Sequence, residues 1–214
     1  MPTVIFDMDG VLLDTERLMK GFWQREADAL GFGDITPVYM RCVGITDALC
    51  KELFEQDYPE LCPFEAFQAR ATANLRAHMQ AHGVPVKPGA QELLAALKDA
   101  GWTIGLASST YIDSVRKELS STGLLPYFDV VIGGDTVRHS KPAPDIYLLA
   151  CEKAGAVPSE TYAIEDSHNG IRSAHAAGMK PLMVPDLLPA DPSIRSLCTA
   201  VLPDLKAVQA YLLS

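Results

Sequence analysis

The feature that most constrains the fold of this chain is a regular alternation of short apolar runs with longer amphipathic runs. The apolar runs predict strands, which lie at residues 3–6, 102–107, 128–132, 161–164, 182–184 and 200–202. Apolar residues at helical spacing predict the intervening helices, at residues 91–100, 112–122, 145–154, 171–177 and 205–213. Strands that alternate with helices in this way are typical of a parallel sheet covered on both faces. The predicted fold class is therefore α/β, with a Rossmann-like parallel sheet core and helices on both faces.

One block interrupts this alternation. Residues 16–83 contain no convincing strand and show helical patterns instead, at residues 18–30, 47–55 and 63–82. The block ends at the sequence G-V-P-V-K-P-G, whose glycines and prolines are typical of a hinge or linker. We therefore expect a Rossmann-like catalytic core, formed by residues 1–15 and 84–214, and an inserted all-helical cap domain, formed by residues 16–83.

The composition of the chain limits the kinds of molecule that it is expected to bind. The chain has 214 residues and a formal net charge of −9. A protein that binds nucleic acid needs a basic surface, so we expect no nucleic acid partner. A few local cations would still suffice for a small phosphorylated ligand. No leader peptide and no apolar run of membrane-spanning length is apparent, so we expect no membrane partner. The five cysteines form no C-x-x-C pair, which favours free thiols and a cytoplasmic location. A monomer is expected.

Unusual polar residues follow the predicted strands. They lie at or just beyond strand carboxyl ends, or in the connection after a strand, and they are Asp7, Asp9, Ser108, Lys141, Glu165 and Asp166. In open parallel sheets, the ligand crevice lies at that edge. The sequence therefore predicts that these residues converge on one site.

The acidic residues indicate a metal. Asp7 and Asp9 are two positions apart in an extended segment, so their side chains point the same way, and two like charges there need compensation. Together with Asp166 they form an all-oxygen environment of the kind that Mg²⁺ prefers, with waters completing its octahedron. We therefore expect Mg²⁺ as the cofactor.

The remaining polar residues indicate a phosphate ligand. Lys141 supplies a positive charge, and the proline that follows it restricts its backbone. Ser108, with Ser109 and Thr110 ahead of a helix, offers donors to an anion, although Ser108 could instead serve only as a helix N-cap. A carboxylate, a divalent cation, a lysine and a hydroxyl together suit phosphoryl transfer. In this scheme Asp7 is the nucleophile and Asp9 the general acid and base.

At this point the sequence resembles the haloacid dehalogenase-like hydrolases, and within them the β-phosphoglucomutase-like phosphatases. The resemblance covers the whole chain and rests on four motifs in the family's order, D-M-D-G-V-L-L-D-T, L-A-S-S-T, K-P-A-P-D and I-E-D-S-H-N-G-I. It implies Asp7 as the nucleophile, Asp9 as the general acid and base, and Ser108 and Lys141 as phosphate ligands. It also implies Mg²⁺ on Asp7, the Asp9 backbone carbonyl and Asp166, and a hinged helical cap.

Two points stay open under this resemblance. Glu165 would contact the metal directly or through water, or would instead be a structural partner, for example of Lys141. In β-phosphoglucomutase itself, a histidine and an arginine of the cap help to hold the bisphosphate intermediate. Met19 and Asp47 occupy the corresponding positions here. An aspartate there would repel a second phosphate. The neighbouring residues Gly44, Ile45 and Thr46 are candidate substrate contacts of the cap.

The favoured function is thus a Mg²⁺-dependent phosphatase acting on a small phosphorylated metabolite, a sugar or sugar alcohol phosphate, through an aspartyl-phosphate intermediate. The alternative is a phosphosugar mutase of the β-phosphoglucomutase type. Haloacid dehalogenation fits poorly, because that chemistry does not use a second aspartate at the position of Asp9. A catalytically idle binding protein is opposed by the intact set of polar residues.

Overall fold

The computed structural model describes residues 1–43, 47–59 and 62–214, and the side chains of residues 47 and 48 also lie outside the description. The described chain divides into two compact units. One comprises Met1–Leu13 and Val86–Ser214, and the other comprises Asp14–Pro85. Within the described ranges, no helix is both long enough and apolar enough to cross a bilayer.

The elements follow in chain order. The strands are Thr3–Phe6 (β1), Thr103–Ala107 (β2), Val130–Ile132 (β3), Tyr162–Glu165 (β4), Lys180–Met183 (β5) and Ala200–Val201 (β6). The helices are Thr15–Leu30 (α1), Thr36–Cys42 (α2), Asp47–Asp57 (α3), Phe64–His82 (α4), Ala90–Asp99 (α5), Ile112–Ser121 (α6), Asp145–Ala154 (α7), His168–Ala176 (α8), Pro192–Arg195 (α9) and Leu205–Leu212 (α10). Short 3₁₀ turns lie at Leu125–Tyr127, Gly134–Thr136 and Pro158–Glu160.

The first unit contains a six-stranded sheet in the order β3-β2-β1-β4-β5-β6, and every pairing is parallel. All four residues of β1 are buried, as expected for a central strand that is covered on both faces. The chain builds the sheet outwards from β1 in one direction through β2 and β3, and then continues on the other side of β1 with β4. This reversal beside β1 is where a ligand crevice forms in open parallel sheets. The predicted α/β fold class is confirmed.

Helix boundaries differ from the predictions at points that have a local cause. Helix α8 begins at His168 rather than at residue 171, because the side chain of Ser167 caps it by accepting a hydrogen bond from the Gly170 N–H at 3.0 Å. Helices α2 and α9 were not predicted, since seven and four residues are too few to show a helical period. Among the residues that the structure describes, the strands agree in number and order with the predictions, and their ends shift by up to two residues.

The described elements of the second unit are all helices, and their core is aromatic. The ring of Trp23, in α1, is packed edge-on by four other rings at centroid distances of 5.1, 6.1, 6.0 and 5.2 Å, which belong to Tyr39, Phe54, Phe64 and Phe67. Aromatic rings prefer such edge-to-face contacts. The side chain of Trp23 is only 3% exposed, so it forms part of the core of this unit.

Candidate active site

The candidate site lies at the carboxyl edge of the sheet in the first unit. Asp7 directly follows β1, and its backbone N–H donates to the Ile164 carbonyl of β4 at 2.9 Å. Ser108 directly follows β2, and its N–H donates to the Ile132 carbonyl of β3 at 3.1 Å. Both residues are therefore held by the sheet's own hydrogen bonds, although they lie one position beyond their strands.

A buried acidic cluster occupies this edge. Carboxylate oxygens of Asp7, Glu165 and Asp166 lie within 4.8 Å of one another, and the three residues are 8%, 0% and 6% exposed. Burying several carboxylates together is unfavourable unless cations or donors compensate their charge. A cluster of carboxylate oxygens is also the donor set that hard divalent cations such as Mg²⁺ prefer. The residues therefore fit a divalent cation.

Lys141 provides a positive charge inside this cluster. It lies in the connection between β3 and α7, and its ammonium donates to Asp7 Oδ1 at 2.5 Å, to Glu165 Oε1 at 2.7 Å and to the Ala107 carbonyl at 3.0 Å. These three contacts match the three N–H donors of a lysine. The peptide bond from Lys141 to Pro142 is cis. Lys141 thus joins the end of β1 to the end of β4.

The buried charges shift one another's pKa. Burial raises the pKa of Asp7 well above its ordinary value; the charge of Lys141 opposes this effect, and the charges of Glu165 and Asp9 add to it. Burial alone would lower the pKa of Lys141, but the charges of Asp7 and Glu165 outweigh it and raise that pKa. One ammonium therefore does not fully compensate the acidic cluster, and a bound divalent cation would favour the ionised form of Asp7.

Glu165 is held on both carboxylate oxygens. Its Oε1 accepts hydrogen bonds from Lys141 and from the hydroxyl of Tyr147 at 2.7 Å, and its Oε2 accepts one from the Ser167 hydroxyl at 3.2 Å. Gly170 lies directly against this carboxylate, since a Cβ built there would be 1.9 Å from Glu165 Cδ. The structure therefore places Glu165 in contact with Lys141 as well as in the acidic cluster.

Asp9 takes a different position from Asp7. Its Oδ2 accepts a hydrogen bond from the Thr110 hydroxyl at 3.0 Å and lies 3.5 Å from the Ser108 hydroxyl. Asp9 is half-buried, so its carboxyl group is more accessible than those of the acidic cluster. Asp9 therefore lies beside residues 108–111, which connect β2 to α6 and are called the β2 loop, and its carboxyl group can exchange a proton with a ligand bound there.

The β2 loop carries the predicted phosphate donors. Ser108 is buried, and its hydroxyl oxygen accepts the Thr110 N–H at 3.1 Å, whereas Ser109 is exposed. Helix α6 begins at Ile112 after Tyr111, whose side chain makes no capping hydrogen bond, and the Ile112 N–H donates to Asp135 Oδ1 at 2.8 Å rather than to Ser108. The interpretation of Ser108 as an N-cap is therefore wrong.

One residue of the site and one contact were missed at the level of sequence. Thr110 was named as a donor beside Ser108, but its hydrogen bond to Asp9 was not predicted. Tyr147 contacts Glu165, and the signal was a tyrosine within the otherwise apolar segment I-Y-L-L-A, because a buried hydroxyl needs a partner. The predicted substrate contacts Gly44, Ile45 and Thr46 lie outside the described residues, as does the side chain of Asp47.

Comparison with known proteins places this arrangement in a family. The family model described as haloacid dehalogenase-like hydrolase matches residues 4–184, which include the whole acidic cluster, Lys141 and the β2 loop. β-Phosphoglucomutase-like members of that family are among the solved structures that share the fold.

Relatives across most of the chain have phosphatase names. The phosphorylated carbohydrates phosphatase of Thermotoga maritima is 32% identical over 180 residues, which cover 84% of this chain and 83% of the relative. The fructose-1-phosphate phosphatase YqaB of Escherichia coli is 31% identical over 179 residues, which cover 82% and 92%. The crystal structure of CbbY from Rhodobacter sphaeroides in complex with phosphate superposes with a TM-score of 0.75 at 27% identity, covering 96% of this chain and 95% of that one.

Proposed function

The chain belongs to the haloacid dehalogenase-like hydrolase family and is a phosphoric monoester hydrolase, and from this premise we propose that it hydrolyses a small phosphorylated metabolite through an aspartyl phosphate on Asp7. The observation that carries the proposal is the buried contact of Lys141 with Asp7, next to the carboxylates of Glu165 and Asp166. A carboxylate so placed, between an ammonium and a set of metal-binding oxygens, is suited to attack a phosphorus atom.

In the first step, a carboxylate oxygen of Asp7 would form a bond to phosphorus as the bond from phosphorus to the ester oxygen breaks. The departing alkoxide needs a proton, and Asp9 would donate it as a general acid. The contact with the Thr110 hydroxyl fixes the Asp9 carboxyl group for this transfer. Lys141, with donors from Ser108 and Ser109, would offset the negative charge of the phosphoryl oxygens.

In the second step, water would attack the phosphoaspartate. Asp9, now ionised, would take a proton from that water, and the bond between phosphorus and Asp7 would break to release inorganic phosphate. Asp7 then returns to its carboxylate form and Asp9 to its acid form, so the cycle balances.

We propose that the carboxylates of Asp7 and Asp166 would hold a divalent cation, with Glu165 acting directly or through water. The family resemblance adds the Asp9 backbone carbonyl as a further ligand. When bound, the cation would withdraw charge from the phosphoryl oxygens. We propose Mg²⁺, because all the clustered side-chain donors are carboxylate oxygens.

For the substrate we propose a sugar or sugar alcohol phosphate. The support is the pair of relatives named for phosphorylated carbohydrates and for fructose 1-phosphate. We further propose that residues 16–83 act as a cap that selects the substrate, with Gly44, Ile45 and Thr46 as candidate contacts. A cytoplasmic location is part of this proposal and agrees with five free cysteines.

The alternative is a phosphosugar mutase, which would use the same phosphoaspartate but return the phosphoryl group to sugar. Asp47 disfavours this alternative, since its charge would repel a second phosphate. A mutase would convert a sugar monophosphate to its isomer only when a sugar bisphosphate is present, whereas a phosphatase would release inorganic phosphate without one.

The proposal is tested by measuring phosphate release from a panel of sugar, sugar alcohol and nucleotide monophosphates with Mg²⁺. We expect turnover of some sugar or sugar alcohol phosphates, loss of turnover on chelation with EDTA, and recovery when Mg²⁺ is restored. Asp7→Asn keeps the shape of the side chain but removes the nucleophilic oxygen, and it should abolish turnover. Asp99→Asn, on the exposed end of α5, is the matched control and should retain the wild-type rate. Undiminished turnover by Asp7→Asn would remove the proposed nucleophile.

A further inference from the structure

Tyr147 is a wholly buried tyrosine whose hydroxyl reaches the site. It lies in α7, its side chain is 0% exposed, and its hydroxyl donates to Glu165 Oε1 at 2.7 Å. Hydrogen bonds to an ionised carboxylate are stronger than those between neutral groups. The hydroxyl is therefore directed at one oxygen of the acidic cluster.

The same carboxylate oxygen also accepts from Lys141. Glu165 Oε1 lies 2.7 Å from Lys141 Nζ, and that ammonium lies 5.0 Å from the centroid of the Tyr147 ring. A cation over an aromatic face is attracted by the ring. Tyr147 thus touches both members of the buried pair, with its hydroxyl on the carboxylate and its ring beneath the ammonium.

Packing alone does not explain the hydroxyl. A phenylalanine would fill the same space and would keep the contact of the ring with Lys141, whereas a buried hydroxyl is unfavourable unless it is hydrogen-bonded. Glu165 is itself 0% exposed and is confined by Gly170 on one side. The Tyr147 hydroxyl therefore helps to determine where Glu165 Oε1 lies.

We propose that Tyr147 is a positioning residue of the phosphatase. It fixes Glu165 Oε1, and Glu165 in turn holds the Lys141 ammonium against Asp7, where phosphoryl charge develops. The inference rests on the proposed function, because its effect is on the transfer step. Tyr147, in the segment D-I-Y-L, lies outside all four sequence motifs, so this role is additional to those of the motif residues.

The test is the substitution Tyr147→Phe, measured by steady-state kinetics on the best substrate of the panel. We expect kcat to fall about tenfold while KM stays within about twofold, because the lost interaction serves the transition state rather than substrate binding. Tyr162→Phe is the matched control: Tyr162 begins the strand that ends at Glu165, and its ring also lies beneath a lysine ammonium, that of Lys180 at 5.3 Å. We expect the control to keep the wild-type kcat and KM.

A double-mutant cycle shows whether Tyr147 acts through Glu165. In a Glu165→Ala background, Tyr147→Phe should lower kcat by less than about twofold, since the acceptor that it positions is gone. A full tenfold fall in that background would overturn the inference, and so would an equal fall in kcat for Tyr162→Phe.

Folding and the premise are checked separately. Thermal unfolding shows whether each variant folds. If Tyr147→Phe does not fold, 3-fluorotyrosine is incorporated at position 147, because it perturbs the hydroxyl while nearly preserving the shape of the side chain. An altered kcat then supports the inference, and an unchanged kcat overturns it. A wild-type chain that hydrolyses no phosphomonoester would refute the proposed function, whereas an active wild type with an unaffected Tyr147→Phe would refute only the positioning role.

Discussion

Gly10 lies directly against Asp166: a Cβ at position 10 would be 2.2 Å from Asp166 Oδ2, so any larger residue there would displace that carboxylate. Gly10 also has a φ of +79°, in the left-handed region that favours glycine. The turn after β1 therefore approaches the carboxylate that follows β4. This close approach brings the first and fourth motifs of the sequence into contact.

The first prediction concerns Gly10→Ala. The variant should displace the Asp166 carboxylate and weaken Mg²⁺ binding by at least about tenfold, as measured by calorimetry. Gly123→Ala is the matched control, because Gly123 has a φ of +73° and nothing within 4 Å of its Cβ position. Both variants should lose about 1–2 kcal/mol of stability from backbone strain. Equal Mg²⁺ affinities in the two variants would contradict the placement of Asp166 in a metal site.

The second prediction concerns Gly170, which lies in the first turn of α8 against Glu165. Gly170→Ala should destabilise the protein by about 1–3 kcal/mol through overpacking and should also reduce kcat, because the Glu165 carboxylate must move. The control Gly21→Ala is also in a helix, but it meets nothing within 4 Å and should stabilise by about 0.5–1 kcal/mol. Urea unfolding and phosphate release measure the two effects. A stabilised and fully active Gly170→Ala would show that Glu165 does not lie there.

The third prediction concerns proton transfer by Asp9. Asp9→Asn keeps the shape of the side chain but cannot exchange the proton, so turnover should fall by about 10²–10⁴-fold. Labelled substrate and acid quenching should reveal a phosphoenzyme that hydroxylamine cleaves, because the second step loses its base. Asp99→Asn should turn over normally and accumulate none. A wild-type rate for Asp9→Asn would refute the proton-transfer role.

The fourth prediction concerns stability and pH at Asp129, away from the site. Burial alone would raise the pKa of Asp129, but hydrogen bonds from Lys98 and the Ile104 N–H outweigh it and lower that pKa from its ordinary value. A lowered folded pKa stabilises the protein above the unfolded value, and this contribution is lost as the pH falls through the folded value. Asp129→Asn should therefore lose about 0.5–1 kcal/mol at pH 7, a modest figure because the side chain is 43% exposed.

Urea unfolding at pH 7 and at pH 3 measures this contribution. The difference between the wild type and Asp129→Asn should shrink at pH 3, where the aspartate is protonated in a growing share of molecules. A difference of the same size at both pH values would assign the effect to shape rather than to charge.

Much of the first unit could be predicted from sequence, because its signals are local and repeated. Each strand is a short apolar run, and the polar residues Asp7, Ser108 and Asp166 follow such runs directly. Parallel strands bring those residues to one edge, so the topology itself predicts that they converge. The confirmed α/β fold follows from that regularity, whereas the confirmed family was identified from its resemblance in four motifs.

Other features could not be predicted, because they depend on contacts between distant positions. The hydrogen bond from Tyr147 to Glu165 joins positions 18 residues apart, and the close approach of Gly10 to Asp166 joins the first strand to the fourth. The sequence left open whether Glu165 would contact the metal or pair with Lys141, and the structure shows the hydrogen bond between Glu165 and Lys141 at 2.7 Å. The short helix α2 gave too few turns for a periodic signal.

The packing of Trp23 also provides a practical readout. The chain has two tryptophans, and Trp23 lies in the helical unit whereas Trp102 lies in the unit that contains the sheet. Trp23→Phe and Trp102→Phe would each leave a single indole, so intrinsic fluorescence could follow the unfolding of either unit alone. Denaturation curves from the two variants would show directly whether the two units unfold together or one after the other.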